Sequence, residues 1–173
     1  TDPTNVISRH NLGVARTNAG NALFDLGRPR EALAKHLESR EAQEALAARS
    51  AMLAGRLSVA HFVAALTAGE LGQMALSERY QAESLRYYGL WKNAFPAGSY
   101  EAQFWPKADP VFEAEFALVQ GDLARARAVT RGAREGLLQV RPGDDPGRQR
   151  EQASFLRRLH AALGRVELES DDF

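Results

Sequence analysis

The chain has 173 residues, 45% of them hydrophobic, which suffices for a buried core and argues against disorder. Its 22 basic residues balance its 22 acidic residues, so the bulk positive charge typical of nucleic-acid-binding proteins is missing and we expect no nucleic-acid partner. It has no cysteine, no apolar run of the roughly 20 residues that cross a bilayer and no recognisable secretion signal, so we expect a cytoplasmic protein with no membrane partner.

The first predicted element is a helical hairpin over residues 5–49. Asn5 is a suitable N-cap, apolar residues follow at helical spacing, and Gly27-Arg28-Pro29 interrupts the pattern. Pro29 suits the first turn of the next helix, because the N–H that it lacks would have no partner there. Small residues, Gly20 before the break and Ala32 after it, would let the two helices approach closely.

A second hairpin is predicted over residues 50–93 from an internal repeat. A shift of 45 residues brings eight identical residues into register, including the Leu-Gly pair at the break. The first-repeat members are Leu12, Val14, Ala15, Ala19, Leu26, Gly27, Glu38 and Ser39, and their matches are Leu57, Val59, Ala60, Ala64, Leu71, Gly72, Glu83 and Ser84.

Residues 94–107 are predicted to be an irregular connection, because the segment from Ala94 to Pro110 carries three prolines and a glycine. Asp109 and Pro110 would then be the N-cap and first residue of a third hairpin over residues 108–140, with its break at Gly121-Asp122. A final half-repeat over residues 147–173 would show the Leu-Gly pattern again at Leu163-Gly164.

These hairpins resemble tetratricopeptide repeats, in which small residues and a glycine break recur at fixed places. Ala19-Gly20, Gly27 and Ala32 fill those places in the first hairpin, and Gly121-Asp122 with Ala126 fills them in the third. The breaks lie 45 and 49 residues apart, so this is similar to the long-repeat variety attached to bacterial serine/threonine kinases and other multidomain signalling proteins. The resemblance implies a single all-α domain over residues 1–173, a right-handed solenoid of about seven helices, and a fragment of a larger protein.

The resemblance also implies a partner-binding concave face lined by the first helix of each hairpin. The residues expected there form an apolar strip edged by acids: Thr17, Asn21, Asp25, Phe62, Leu66, Glu70, Glu115 and Val119. A carboxylate-binding clamp of Lys and Asn side chains would be incomplete, because only Asn21 matches it. We therefore expect a peptide or partner protein bound on a mixed surface.

Aromatic residues are concentrated between positions 80 and 116, which hold ten of the chain's fourteen. Three of them, Tyr100, Phe104 and Trp105, fall in the predicted irregular connection and are the residues expected to stay partly exposed and bind a partner. The alternative, which we favour, is that the aromatic cluster fills space between the connection and its neighbouring hairpins.

No arrangement of residues indicates catalysis, a metal or another cofactor. The four histidines lack metal-ligand spacing, and no serine has a nucleophile-elbow context. The row Arg125, Arg127, Arg131 and Arg134 is interpreted as a solvated helix face. The sequence therefore predicts a non-catalytic interaction or regulatory scaffold. Two alternatives are a ligand-sensing domain, with a small molecule bound near Trp91 and Trp105, and an oligomerisation module.

Overall fold

The structure is a computed structural model, and it describes residues 5–47 and 51–171. These residues form seven α-helices and no strand, which confirms the predicted all-α class. The helices are α1 (Val6–Asp25), α2 (Pro29–Ala47), α3 (Ala51–Glu70), α4 (Met74–Lys92), α5 (Tyr100–Val119), α6 (Leu123–Gln139) and α7 (Pro146–Asp171).

The predicted breaks between paired helices share one backbone geometry. The glycine at each break has a positive φ, of 71° at Gly27, 72° at Gly72 and 73° at Gly121. At the first break the N–H of Gly27 donates to the carbonyl of Phe24 and the N–H of Arg28 donates to that of Leu23. The other two breaks form the same pair of hydrogen bonds, which is the Schellman motif that ends helices at a left-handed glycine.

Small residues face each other across every break. Each first helix carries one seven residues before the break glycine, and each second helix carries one five residues after it. The pairs are Gly20 with Ala32, Ala65 with Ser77, and Ala114 with Ala126, and all six residues are buried. In the second pair the Ser77 hydroxyl donates to the Ala65 carbonyl over 2.8 Å, so the two backbones lie close together.

A second contact repeats with the 45-residue period predicted from the sequence. The Ser39 hydroxyl on α2 donates to the carbonyl of Gly13 on α1 over 2.7 Å. Forty-five residues later, the Ser84 hydroxyl on α4 donates to the carbonyl of Ser58 on α3 over 3.0 Å. The repeat in sequence is therefore a repeat in helix packing, with α1 and α2 as hairpin 1 and α3 and α4 as hairpin 2.

Contacts divide the chain into two compact units, Thr1–Ala94 and Phe95–Phe173, where the sequence analysis placed a single domain. In the first unit, α2 packs against both α1 and α3, α3 packs against α4, and α1 also contacts α3. In the second unit, α5, α6 and α7 each pack against the other two. One core cluster of that unit joins Ala117 and Leu118 of α5, Ala126 of α6, and Ala162 and Val166 of α7.

The predicted irregular connection over residues 94–107 is wrong in its second half, because α5 begins at Tyr100. The Ser99 side chain caps it by accepting from the N–H of Ala102 over 3.1 Å, and Pro106 and Pro110 lie inside the helix rather than at its start. An internal proline costs about 3 kcal/mol. Each buried aromatic side chain gains about 2–3 kcal/mol, so aromatic burial offsets the prolines.

The C-terminal helix also differs from the prediction. Leu163-Gly164 was expected to precede a break, but α7 continues through Gly164 to Asp171. A Cβ added at Gly164 would meet nothing within 4 Å, so no close packing explains this glycine. Ala162 and Val166 on either side of it in sequence are buried, which keeps this stretch of α7 packed in the core.

Candidate functional site

Two of the residues expected on the concave face are used inside the hairpins instead. The Thr17 hydroxyl lies 2.8 Å from that of Ser39, so Thr17 faces α2. Phe62, its repeat equivalent on α3, is 7% exposed. The predicted positions were spaced by four residues, and a helix of 3.6 residues per turn rotates such a series steadily around its axis. The two predicted series therefore began, at Thr17 and Phe62, on a side of each helix that packs inside the protein.

The remaining side of α1 and α3 carries exposed and half-buried residues, which together we call the α1–α3 face. They follow the alternating spacing of three and four that keeps residues on one side of a helix. On α1 they are Asn18, Asn21 and Asp25, all exposed, and on α3 they are Val59, Val63, Leu66 and Glu70. Four of these seven were among the residues predicted from the sequence to contact a partner, and Asn18, Val59 and Val63 were not.

The apolar part of the α1–α3 face lies on α3. Val59 is 41% exposed, and Val63 and Leu66 are half-buried, so three branched side chains in a row reach solvent. Their repeat equivalents on α1 are Val14, Asn18 and Asn21, two of which are amides. A partner lying across both helices would therefore meet aliphatic carbon on one side and hydrogen-bonding groups on the other.

The C-terminal end of the α1–α3 face is negatively charged. Asp25 is the last residue of α1 and Glu70 is the last residue of α3, and both are exposed. Neither helix has a basic residue in its last turn. The C-terminal end of a helix carries a partial negative charge from its aligned peptide dipoles, and the Asp25 carboxylate adds to it. This end of the face favours a cationic group on a partner.

The second unit holds two of the residues predicted to line the concave face, Glu115 and Val119. Glu115 of α5 forms an ion pair with Arg158 of α7, with 2.7 Å between Oε1 and the arginine Nε, so it lies in a contact between helices. Val119 is half-buried at the last position of α5. The expectation that Glu115 would point into an open groove is therefore wrong.

The aromatic residues predicted to be partly exposed are buried. Phe104 is 0% exposed, and Tyr100 and Trp105 are each 8% exposed. The rings of Phe104 and Trp105 both pack edge-to-face on Phe155 of α7, with centroids 5.5 Å apart. This is the core role that the sequence analysis favoured, although the residues belong to a helix rather than to an irregular connection. They do not form a binding surface.

Two histidines of the first unit are buried, and each packs against a different residue. His36 of α2 is 1% exposed and packs over Gly20, where a Cβ would lie 2.4 Å from its ring. His61 of α3 is 4% exposed and stacks on Tyr87 with ring centroids 5.6 Å apart. Burial lowers the pKa of each imidazole to about 4, so both are neutral near pH 7.

Nothing in residues 5–47 and 51–171 groups three or more potential ligands around a possible metal position. The two tryptophans considered for a small-molecule pocket are each used in packing within their own unit. The ring of Trp91 lies 2.8 Å from where a Cβ on Gly55 would be, and Trp105 packs on Phe104 and Phe155.

Several arginines of the second unit are paired with glutamates of α5. Arg125 of α6 contacts Glu113 over 2.9 Å, and Arg148 of α7 contacts Glu101 over 3.1 Å. Arg158 additionally lies over the Phe155 ring, 4.9 Å from its centroid. Of the predicted basic row, Arg125 is therefore neutralised by Glu113.

Comparisons of the chain with protein-family models, curated proteins and solved structures gave no match. Within the described residues, none of the helices combines the length and the apolar character that a membrane span requires.

Proposed function

We propose that this protein is a non-catalytic interaction module of tetratricopeptide-like hairpins, a regulatory scaffold that binds a peptide or partner protein on the α1–α3 face. The observation that carries the proposal is the aliphatic row of exposed Val59 and half-buried Val63 and Leu66, together with the exposed carboxylate of Asp25 at the end of α1. Apolar side chains flanked by charge are a common composition of peptide-binding surfaces.

The composition of the face defines the partner. Aliphatic side chains of the partner would contact the valines and the leucine on α3, and a lysine or arginine would lie beside Asp25. Asn18 and Asn21 offer both donors and acceptors, which suits the backbone of a bound peptide. Because exposed ion pairs each contribute only about 0.2–1 kcal/mol, we expect a dissociation constant on the order of micromolar.

The proposal is tested by selecting ligands from a displayed random-peptide library and measuring their affinity by fluorescence anisotropy. Selected peptides should combine a basic residue with aliphatic residues. Reversing the acid, Asp25→Lys, should weaken them by about fivefold, since an attractive contact becomes repulsive. Leu66→Ser should weaken them independently by removing aliphatic contact.

The matched control is Glu78→Lys, which reverses an exposed acid on α4, outside the α1–α3 face. It should leave affinity within about twofold, because an exposed charge that the peptide does not contact contributes little. Selected peptides that lack basic residues, or that bind Asp25→Lys as tightly as the original protein, would exclude the α1–α3 face as the binding site.

A further inference from the structure

The side of α1 opposite α2 carries an apolar row that is open to solvent, which we call the outer face of α1. Its residues are spaced by three and four, and all are exposed: Leu12, Ala15, Ala19, Ala22 and Leu26. Leu12 is 46% exposed and Leu26 is 71% exposed. The opposite side of the helix holds Gly13, Thr17 and Gly20, which contact α2.

The same row occurs on α3, where it is covered. The repeat equivalents are Leu57, Ala60, Ala64, Thr67 and Leu71, and four of the five residue types are identical to those on α1. Leu57, Ala60 and Ala64 are each 0% exposed, Thr67 is 2% exposed, and Leu71, just beyond the end of α3, is half-buried. The internal repeat therefore provides a direct comparison of one apolar face in a covered and an uncovered state.

The element that covers the α3 row is the preceding hairpin. The opposite side of α3 contacts α4 through Ser58 and Ala65, and the other principal neighbour of α3 is α2. Arg40 marks the side of α2 turned towards hairpin 2, since its guanidinium lies 5.9 Å from the Tyr80 ring centroid. Leu33 and Leu37 share that side of α2 by helical spacing, and Leu33 is 8% exposed.

A second copy of this chain does not present the same covering surface. On α4, the repeat equivalents of Leu33 and Leu37 are Glu78 and Ala82, both exposed. Pressing the Glu78 carboxylate against leucine and alanine would remove it from water without a compensating charge, and Ala82 offers less apolar area than a leucine. The outer face is also only one helix wide, which is small for a freely diffusing partner. A short covalent connection would overcome this by raising the effective concentration.

We propose that the outer face of α1 is the docking surface for a further helical hairpin of the same repeat kind, held beside α1 by a short connection as hairpin 1 is held beside α3. Terminal hairpins of stacked arrays need a polar outer face to stay dissolved, and α1 instead has the composition of an internal position. This inference is independent of the proposed binding function, because the two faces lie on different sides of α1.

The chain's own hairpin 1 is the probe for this proposal. A copy of residues 5–50 is joined in frame ahead of Val6, so that its second helix leads into α1 as α2 leads into α3. Because the protein has no cysteine, a single Ala19→Cys can be labelled with a maleimide to measure coverage of the outer face. A matched Ala34→Cys on the exposed side of α2 reports general reactivity.

Ala19→Cys should react rapidly in the original protein, and at least about tenfold more slowly in the extended protein, while Ala34→Cys stays rapid in both. Ala19→Glu should also be nearly silent in the original protein but lower the urea midpoint of the extended one. Equal labelling of Ala19→Cys in both proteins would overturn the proposal. So would slow labelling in the original protein together with dimeric mass in light scattering, which would mean that a second copy covers the face.

Discussion

The contact between Gly20 and His36 gives the most direct test of how hairpin 1 is packed. A Cβ on Gly20 would lie 2.4 Å from Cε1 and 2.5 Å from Nδ1 of the imidazole, so Gly20→Ala requires a ring shift of about 1 Å. His36 is 1% exposed and has little room to move. Overpacking of this size costs about 1–3 kcal/mol. Alanine recovers about 1 kcal/mol of helix propensity, so we expect a net destabilisation of up to about 2 kcal/mol.

The same substitution should change sign when the ring is removed. In a His36→Ala background the added methyl group meets no imidazole, and Gly20→Ala should stabilise by about 1 kcal/mol through helix propensity alone. The coupling energy between the two positions would then be about 1–3 kcal/mol, within the range measured for residues in direct contact. Gly89→Ala is the control, because a Cβ there would meet nothing within 4 Å.

Urea unfolding of the four variants of this cycle, followed by circular dichroism, supplies the free energies. Separate transitions for the two units would be fitted individually, and only the transition that responds to Gly89→Ala would enter the cycle. If Gly20→Ala stabilises the original protein, or if the two substitutions are additive, the close approach of α1 and α2 at this point is not as described.

Two further predictions concern the first unit. Ala32→Glu should destabilise by at least about 3 kcal/mol, because Ala32 is 0% exposed and a carboxylate there would be buried without a partner, whereas exposed Arg30→Glu should stay within about 0.5 kcal/mol. Equal melting temperatures for these two variants would contradict the hairpin register. Stability should also fall as the pH drops below 6.5, because unfolding releases His36 and His61 from a pKa of about 4 to the ordinary 6.5 and the unfolded chain then binds more protons. The loss between pH 7 and pH 5 should be about 1–2 kcal/mol for each histidine, read from urea midpoints. Replacing both with glutamine should flatten that dependence, and an unchanged slope would show that the imidazoles are not buried.

Local signals in the sequence were sufficient for the helix breaks. Glycine followed by a polar residue, with small residues at fixed distances on both sides, predicted the hairpins at Gly27, Gly72 and Gly121, and all three adopt the left-handed conformation that glycine favours. The 45-residue repeat also predicted equivalent packing, as the hydrogen bonds of Ser39 and Ser84 show. These features depend on neighbouring residues and on fixed spacings along the chain, so the sequence alone was enough to predict them.

The candidate site was only partly predictable, because spacing does not fix the side of a helix on which a series begins. Asn21, Asp25, Leu66 and Glu70 were identified, whereas Thr17 belongs to the contact with α2. The alternation of three and four residues through Asn18, Asn21 and Asp25 was the signal that could have corrected the phase.

The sequence by itself determined the helical class, the three glycine breaks and the repeat, since these follow from backbone preferences and short-range spacing. Tertiary structure decided the start of α5 at Tyr100, because burial of Phe104 and Trp105 against Phe155 outweighs the local preference of two prolines to end a helix. It also decided that Leu57 is covered while the identical Leu12 is open, since exposure depends on which helix lies alongside. Burial energy comes from residues distant in sequence, and that is why local patterns could not supply it.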